Sequence, residues 1–194
     1  MNNKLNLYDY LRAGSIRRWH IVNHHGQQSI AEHSFLVTII ATQLYNDMVG
    51  IEEGNDKELL KVVFGALFHD MPEVRTGDSP TPAKRLLREF AGKDIFTKIE
   101  NQLMPETPYI GGKIPQSIHD FIAMADVIEA AHWITDHGIG AHAKIVTDRI
   151  RVRMEQHIAE LTELTKVDWY EPVNKVLMAL GMPVAYKETD TRTL

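Results

Sequence analysis

Apolar residues recur at three- and four-residue steps along most of this 194-residue chain, and no stretch alternates as a half-buried strand does. The pattern therefore predicts helices alone. The first covers residues 4–13, with Leu5, Leu7, Tyr8 and Leu11 inward and Gly14 ending it. Residues 15–29 hold no sustained period and contain Gly26, so they read as a loop. From 30 to 48 two interleaved rows, Phe35, Ile39, Thr42 and Leu36, Ile40, Leu44, give a strong helix. A turn at Gly50 and residues 52–55 leads to a helix capped by Asn55 or Asp56 and running to about Asp70. Pro80 and Pro82 open another near Thr81. Short helices are expected over 84–90 and 95–104, a loop over 105–115, and long helices over 116–136 and 142–165. A last helix covers 168–180, and a polar tail starts at Tyr186. The expected fold class is all-α: one helical bundle over residues 1–185, with a tail over 186–194.

Residues 62–84, VVFGALFHDMPEVRTGDSPTPAK, depart from that pattern. The apolar run 62–68 ends in His69-Asp70, where a glycine cap or a solvent-facing residue is more usual. A His-Asp pair alone carries little, and the chain holds its own control in His119-Asp120, at a helix front where the dipole favours Asp. Asp70 instead closes an apolar segment. A buried carboxylate without a partner is costly, so it calls for a metal or an arginine. Asp126, within FIAMADVIEAAHWI, makes the same demand. Glu129, one turn on, orients Asp126 or backs the metal ligands from behind, or else faces solvent. His33 in EHS is a ligand or a cap-region histidine bonded to backbone, and Glu73 is a proton carrier or a surface Glu. His132, His137, His142 and His157 read as surface or core residues on long helices.

His33, His69, Asp70 and Asp126 form a two-His, two-carboxylate set from three helices, suited to a divalent transition metal that keeps positions for water and substrate. Arg17, Arg18 and Trp19 place charge and a flat ring before the His33 helix, and Lys84, Arg85 and Arg88 form a second basic cluster. Either group is a phosphate clamp or an ordinary surface cluster.

Composition narrows the reading. A net charge of -5 argues against a nucleic-acid polymer but allows a small anion gathered by local cations. With no cysteine, disulfides and thiolate sites are excluded, and any metal must use N and O ligands. MNNKLNLYDY lacks a signal-peptide core and no apolar run reaches membrane-spanning length, so a soluble intracellular protein with no membrane partner is expected.

The order H…HD…D, at His33, His69-Asp70 and Asp126, resembles the HD-domain metal phosphohydrolases. Arg18-Trp19, EHS at 32–34, HDMPE at 69–73 and TGDSPTPAK at 76–84 are similar to the small HD-domain 5'-deoxynucleotidases and to related phage triphosphohydrolases that act on dATP. The resemblance spans roughly residues 5–165, and its ordered set is specific where the bare HD pair is not. It implies an all-α HD domain with Zn, Co or Mn held by His33, His69, Asp70 and Asp126. It implies Glu73 as catalytic acid/base, with Asp78 contributing to catalysis and contacting the sugar-phosphate end. Arg18 and Lys84 would hold phosphate, Trp19 would pack on deoxyribose, and Ile21 would border the base. The link from Asp70 to Asp126 is short, nearer the phage triphosphohydrolases than the bacterial monophosphatases. A homo-oligomer, dimer or hexamer, in the cytoplasm (the host's, if the chain is viral) is expected. Two rivals stand: a non-catalytic nucleotide sensor that switches an oligomer, and a structural module with Asp70 and Asp126 paired to arginines.

Overall fold

In the computed structural model, which describes residues 4–50 and 56–186, helix α2 (Ile30–Val49) starts from a reciprocal cap. The Ser29 hydroxyl accepts the Glu32 N–H at 3.2 Å, and the Glu32 carboxylate accepts the Ser29 N–H at 2.7 Å. Glu32 of EHS is thus a capping residue, and the next residue, His33, is turned fully inward. The other elements are α1 (Leu7–Leu11), a 3-10 turn (Ala13–Ser15), α3 (Asp56–Phe68), α4 (Glu73–Thr76), α5 (Thr81–Ala91), α6 (Ile95–Leu103), α7 (Gln116–His137), α8 (Gly140–Thr165) and α9 (Tyr170–Ala179). Among the described residues β pairing is limited to isolated bridges such as Arg17 with Ser29.

Helix α7 is the central rod. It buries residues around most of its circumference, from Ile118 and Phe121 to Trp133 and Ile134, as an all-round apolar helix must. Helices α2 and α3 pack on it and on each other, α8 lies along it, and α9 closes against α2 and α8. The main core joins Val37, Leu44 and Tyr45 of α2, Val62 and Ala66 of α3, Ile122 and Ile128 of α7, Ile158 of α8 and Leu177 of α9. Gly65 sets the spacing of α3 from α7: a Cβ there would lie 2.7 Å from Ile122 Cδ1 and 3.3 Å from Ile114 Cδ1. One turn later the chain leaves α3 at His69.

Three expectations are corrected. Leu7, Tyr8 and Leu11 point outward, 66, 72 and 76% exposed, while Asp9 is buried against Arg75 at 2.6 Å. A five-residue helix has too few turns for periodicity to choose its face, and the ion pair chooses it instead. Phe35, Leu36 and Ile39 lie on the exposed side of α2; that helix is apolar all round, so its period revealed a helix but not which side is inward. Helix α3 ends at Phe68, not Asp70, because Pro72 follows and the chain tightens, with Met71 N–H on the Phe68 carbonyl. The candidate cap Asn55, the turn 52–55 and the tail beyond Tyr186 lie outside the described residues.

Because Gly65 fixes how closely α3 meets α7, Gly65→Val should cost about 1–3 kcal/mol by overpacking. Chemical denaturation measures it, and an unchanged midpoint would show that the contact relaxes freely.

Candidate active site

Two imidazoles define the site by what they leave unbonded. His33 Nδ1 donates to the Glu129 carboxylate at 2.6 Å, and His69 Nδ1 donates to the Ala66 carbonyl at 2.6 Å. In each neutral ring the proton is then on Nδ1 and the lone pair is on Nε2. Both Nε2 atoms are buried and have no hydrogen-bond partner. They converge with an Asp126 oxygen so that the three ligand atoms lie within 4.8 Å of one another. A buried lone pair without a donor is unfavourable, and two aimed at one carboxylate fit a cation. The backing of each ring through its far nitrogen is what a metal-ligating histidine needs. The donor set, nitrogen and oxygen only, suits a divalent transition metal.

Asp70 stands beside this group. Its Oδ2 lies 3.5 Å from His33 Nε2 and 3.4 Å from His69 Nε2, and it accepts from Arg18 Nη1 at 2.9 Å. The electrostatics ask for positive charge. Burial opposes ionisation of His33, yet Asp126, Asp70 and Glu129 hold its pKa well above the usual imidazole range. Burial likewise opposes the Asp126 carboxylate, but the His33 imidazole, 3.2 Å away though not aligned as a hydrogen bond, holds it down to about 2. Against burial, the charges of His69, His33 and Arg18 keep Asp70 well below the carboxylate norm. A proton on His33 is one way to meet this demand, and a divalent ion is the other.

Glu73 opens α4 one turn beyond Asp70, behind Pro72. Burial, then the Asp70 charge, push its pKa up to about 7 against the pull of Lys84, whose Nζ lies 2.9 Å from Oε1. Its other oxygen, Oε2, is buried and unpartnered. A carboxyl that shares its proton near neutrality and keeps one oxygen free is a competent acid or base.

The loop before α2 supplies the other wall. Arg18 is nearly enclosed, and its Nε has no partner, leaving a buried donor for an anion. Trp19 adopts a left-handed backbone, φ +65°, a strained setting for a large residue. Two contacts hold it there: its ring stacks on Trp133 at 5.2 Å, and its Nε1 donates to the Gln28 side chain at 2.8 Å. Asp78 lies 3.6 Å from His20 Nδ1, and Ile21 is half exposed nearby in sequence.

A family model described as 5'-deoxynucleotidase YfbR-like matches residues 8–132, which contain His33, His69, Asp70, Asp126, Glu73, Arg18, Trp19, Asp78 and Lys84. The chain belongs to the 5'-deoxynucleotidase YfbR-like family. The dATP triphosphohydrolase of Salmonella phage PMBT28 is 34% identical over 78% of this chain and 77% of its own length. That of cyanophage S-2L is 30% identical over 79 and 83%. The 5'-deoxynucleotidase YfbR of Salmonella typhi is 28% identical over 58% of this chain and 53% of its own length. Among solved structures, the HD phosphohydrolase DatZ of cyanophage S-2L, bound to dA and one catalytic Zn2+ ion, matches with TM-score 0.66 and 28% identity, over 80% of this chain and 85% of that one.

In this YfbR-like chain, His33, His69 and Asp126 meet, with Asp70 and Glu73 alongside. The arginine expected for Asp70 in the purely structural alternative is present as Arg18, but Asp126 meets His33 at 3.2 Å rather than an arginine. Glu129 does not orient Asp126; it holds His33. Residues three apart on α7 share a face, but the longer Glu side chain reaches α2. Gln28, 2% exposed, was not foreseen: it donates to Glu129 at 2.5 Å and receives Trp19, and nothing in QQS marks it. Asp120 of the control pair is capped by Gln116 at 2.9 Å, away from the site.

Glu129→Gln should lower affinity for Zn, Co or Mn about 10–100-fold, because the ring of His33 loses its anionic support. Metal titration followed by calorimetry checks this, and unchanged affinity would remove Glu129 from the site. Glu73 gives a pH signature. Its folded pKa, about 7, stands above the ordinary 4.5, so its contribution to stability is complete below 4.5 and is lost as pH rises through 7. Metal-free protein should therefore lose about 3 kcal/mol more than its Glu73→Gln variant between pH ~4.5 and ~8. Parallel pH curves from denaturant melts would contradict the burial of this carboxyl.

Proposed function

We propose that this protein is a metal-dependent phosphohydrolase cleaving the 5' phosphate ester of 2'-deoxynucleotides, with dATP the main substrate. The observation that carries the reading is the pair of buried, unpartnered imidazole nitrogens aimed at Asp126, beside the free oxygen of Glu73. His33, His69 and Asp126, with Asp70 as a fourth donor, would hold the ion. A divalent ion there supplies Lewis acidity toward a phosphoryl oxygen and acidifies water.

The chain's own residues do the rest. Glu73 exchanges a proton near neutrality, taking one from the attacking water or giving one to the departing 5' oxygen. The P–O5' bond breaks; the deoxynucleoside leaves with hydrogen on O5', and the phosphorus side gains hydroxyl. Arg18, through its free Nε, and Lys84 hold phosphate oxygens. Trp19, braced by Trp133, offers a flat apolar wall to deoxyribose, where a 2'-hydroxyl would lose its hydration. Asp78 faces the sugar-phosphate end and Ile21 the base.

The same attack on a monophosphate releases phosphate, the second substrate reading, which the YfbR likeness supports at shorter coverage. The dATP reading has the longer support, from relatives named as dATP triphosphohydrolases that share over three quarters of this chain. A homo-oligomer, dimer or hexamer, goes with the apolar side chains that α1 and α2 leave exposed, Leu7, Tyr8, Leu11, Phe35 and Ile39. A cytoplasmic place goes with a soluble nucleotide substrate. Among the described residues no helix is long and apolar enough to cross a membrane.

Protein incubated with dATP or dAMP plus Zn, Co or Mn should yield deoxyadenosine, with triphosphate from the first. Glu73→Gln should lower kcat about 10²–10⁴-fold while metal content stays stoichiometric. Absence of deoxynucleoside with every metal would reject the enzyme and leave a nucleotide sensor.

A further inference from the structure

One cleft beside the candidate metal group holds a cation that the reaction scheme leaves unused. His69, Asp70 and Glu73 form one wall, and Lys84 and Arg88 of α5 and Glu100 of α6 form the other. The positive groups nearest the reacting centre are already engaged. Arg18 binds Asp70 at 2.9 Å, and Lys84 binds Glu73 at 2.9 Å. Arg88 makes no carboxylate ion pair among the described residues. Its guanidinium carbon lies 5.2 Å from the centre of the Phe96 ring, which supports one face of the plane and leaves the edge donors free. Arg88 stands four residues after Lys84 on α5 and lines the same cleft, so it presents a second charge one helical turn, about 5.4 Å, along α5 from Lys84.

That arrangement distinguishes substrates by length. A phosphate monoester can be served by the ion and by the cations next to Glu73 and Asp70. A triphosphate carries two more phosphoryl groups and added negative charge, and it extends outward from the ester phosphorus. A cation one turn along α5 from Lys84, in the same cleft, would give such an extension a partner. Glu100 shares the cleft and opposes a bare anion, but its side chain is exposed, so solvent screens its charge.

Resting on the phosphohydrolase reading above, we propose that Arg88 is a specificity-determining residue: it binds the terminal phosphates of a deoxynucleoside triphosphate and selects the triphosphate over the monophosphate. A residue that merely ties α5 to α6 through Phe96 would affect both substrates alike.

The test compares full-length wild type, Arg88→Gln and Arg88→Lys, each loaded with Mn. With dATP, Arg88→Gln should raise KM at least tenfold and leave kcat within about threefold. With dAMP it should leave kcat/KM within about twofold. Arg88→Lys should recover part of the dATP loss. Equal losses on both substrates, or no loss on dATP, would overturn the assignment. A second measurement does not need turnover: calorimetric titration with inorganic triphosphate and with inorganic phosphate. Wild type should bind triphosphate more tightly, and Arg88→Gln should erase that preference while its phosphate affinity holds. If wild type turns over neither nucleotide, the phosphohydrolase reading fails, and the titration still decides Arg88: a preference for triphosphate unchanged in Arg88→Gln overturns it.

Discussion

The contact between His33 and Glu129 is the constraint on which the site depends. Both side chains are almost completely enclosed, at 0 and 2% exposure, and they meet at 2.6 Å in the packing seam of α2 and α7. A buried carboxylate has to be satisfied on every side, and this one receives His33 from α2 and Gln28 from the loop before it. Removing either partner would leave a charge in the core, at a cost larger than the pair contributes. The contact therefore adds little net stability but fixes registration. It allows one rotation of α2 against α7, and that rotation turns His33 Nε2 toward Asp126. Gly65 does the corresponding work for α3 by letting it approach α7, which carries His69 to the same point.

The charges then form an interlocked set. Carboxylates outnumber cations around His33, and the two cations that suit phosphate, Arg18 and Lys84, are occupied by Asp70 and Glu73. A phosphate bound as proposed would have to compete with those acids for Arg18 and Lys84. A divalent ion changes that competition, because it takes up the negative charge of Asp70 and loosens its hold on Arg18. Protonation of Glu73 does the same for Lys84. Metal occupancy and the proton on Glu73 thus each favour phosphate binding, while the ion, by taking up the Asp70 charge that raises Glu73, opposes that proton.

Much of this was legible in the sequence because the signals were local. A carboxylate inside an apolar helix, as at Asp126, and an apolar run that stops at His69-Asp70 are expensive wherever they occur, so each announces a partner. Helix existence followed from periodicity for the same reason. What stayed hidden depended on distance or direction. Glu129 and Asp126 lie three apart on one helix, and sequence spacing cannot tell which of them reaches α2. Gln28 is a neutral side chain in a polar loop, and only the buried donors and acceptors around it reveal its use. Periodicity alone gives the wrong face of α1, because the ion pair of Asp9 with Arg75, 66 residues apart in sequence, outweighs three exposed apolar side chains on so short a helix.

The loop before α2 follows from the same contact. Trp19 in a left-handed backbone costs about 1–3 kcal/mol, and such strain persists only where the surroundings over-determine it. Two separate anchors do so here, the stacked Trp133 ring and the Gln28 oxygen, and both lead back to α7. Gln28 is held in turn by Glu129, the residue that orients His33. A single run of hydrogen bonds therefore joins the wall proposed for the sugar to the ring proposed for the metal. Displacing Trp19 would shift Gln28, and among the described residues Gln28 and His33 are the two side chains that satisfy this carboxylate. The wall proposed for the sugar and the group proposed for the ion are consequently one structure, built on a buried acid that belongs to neither.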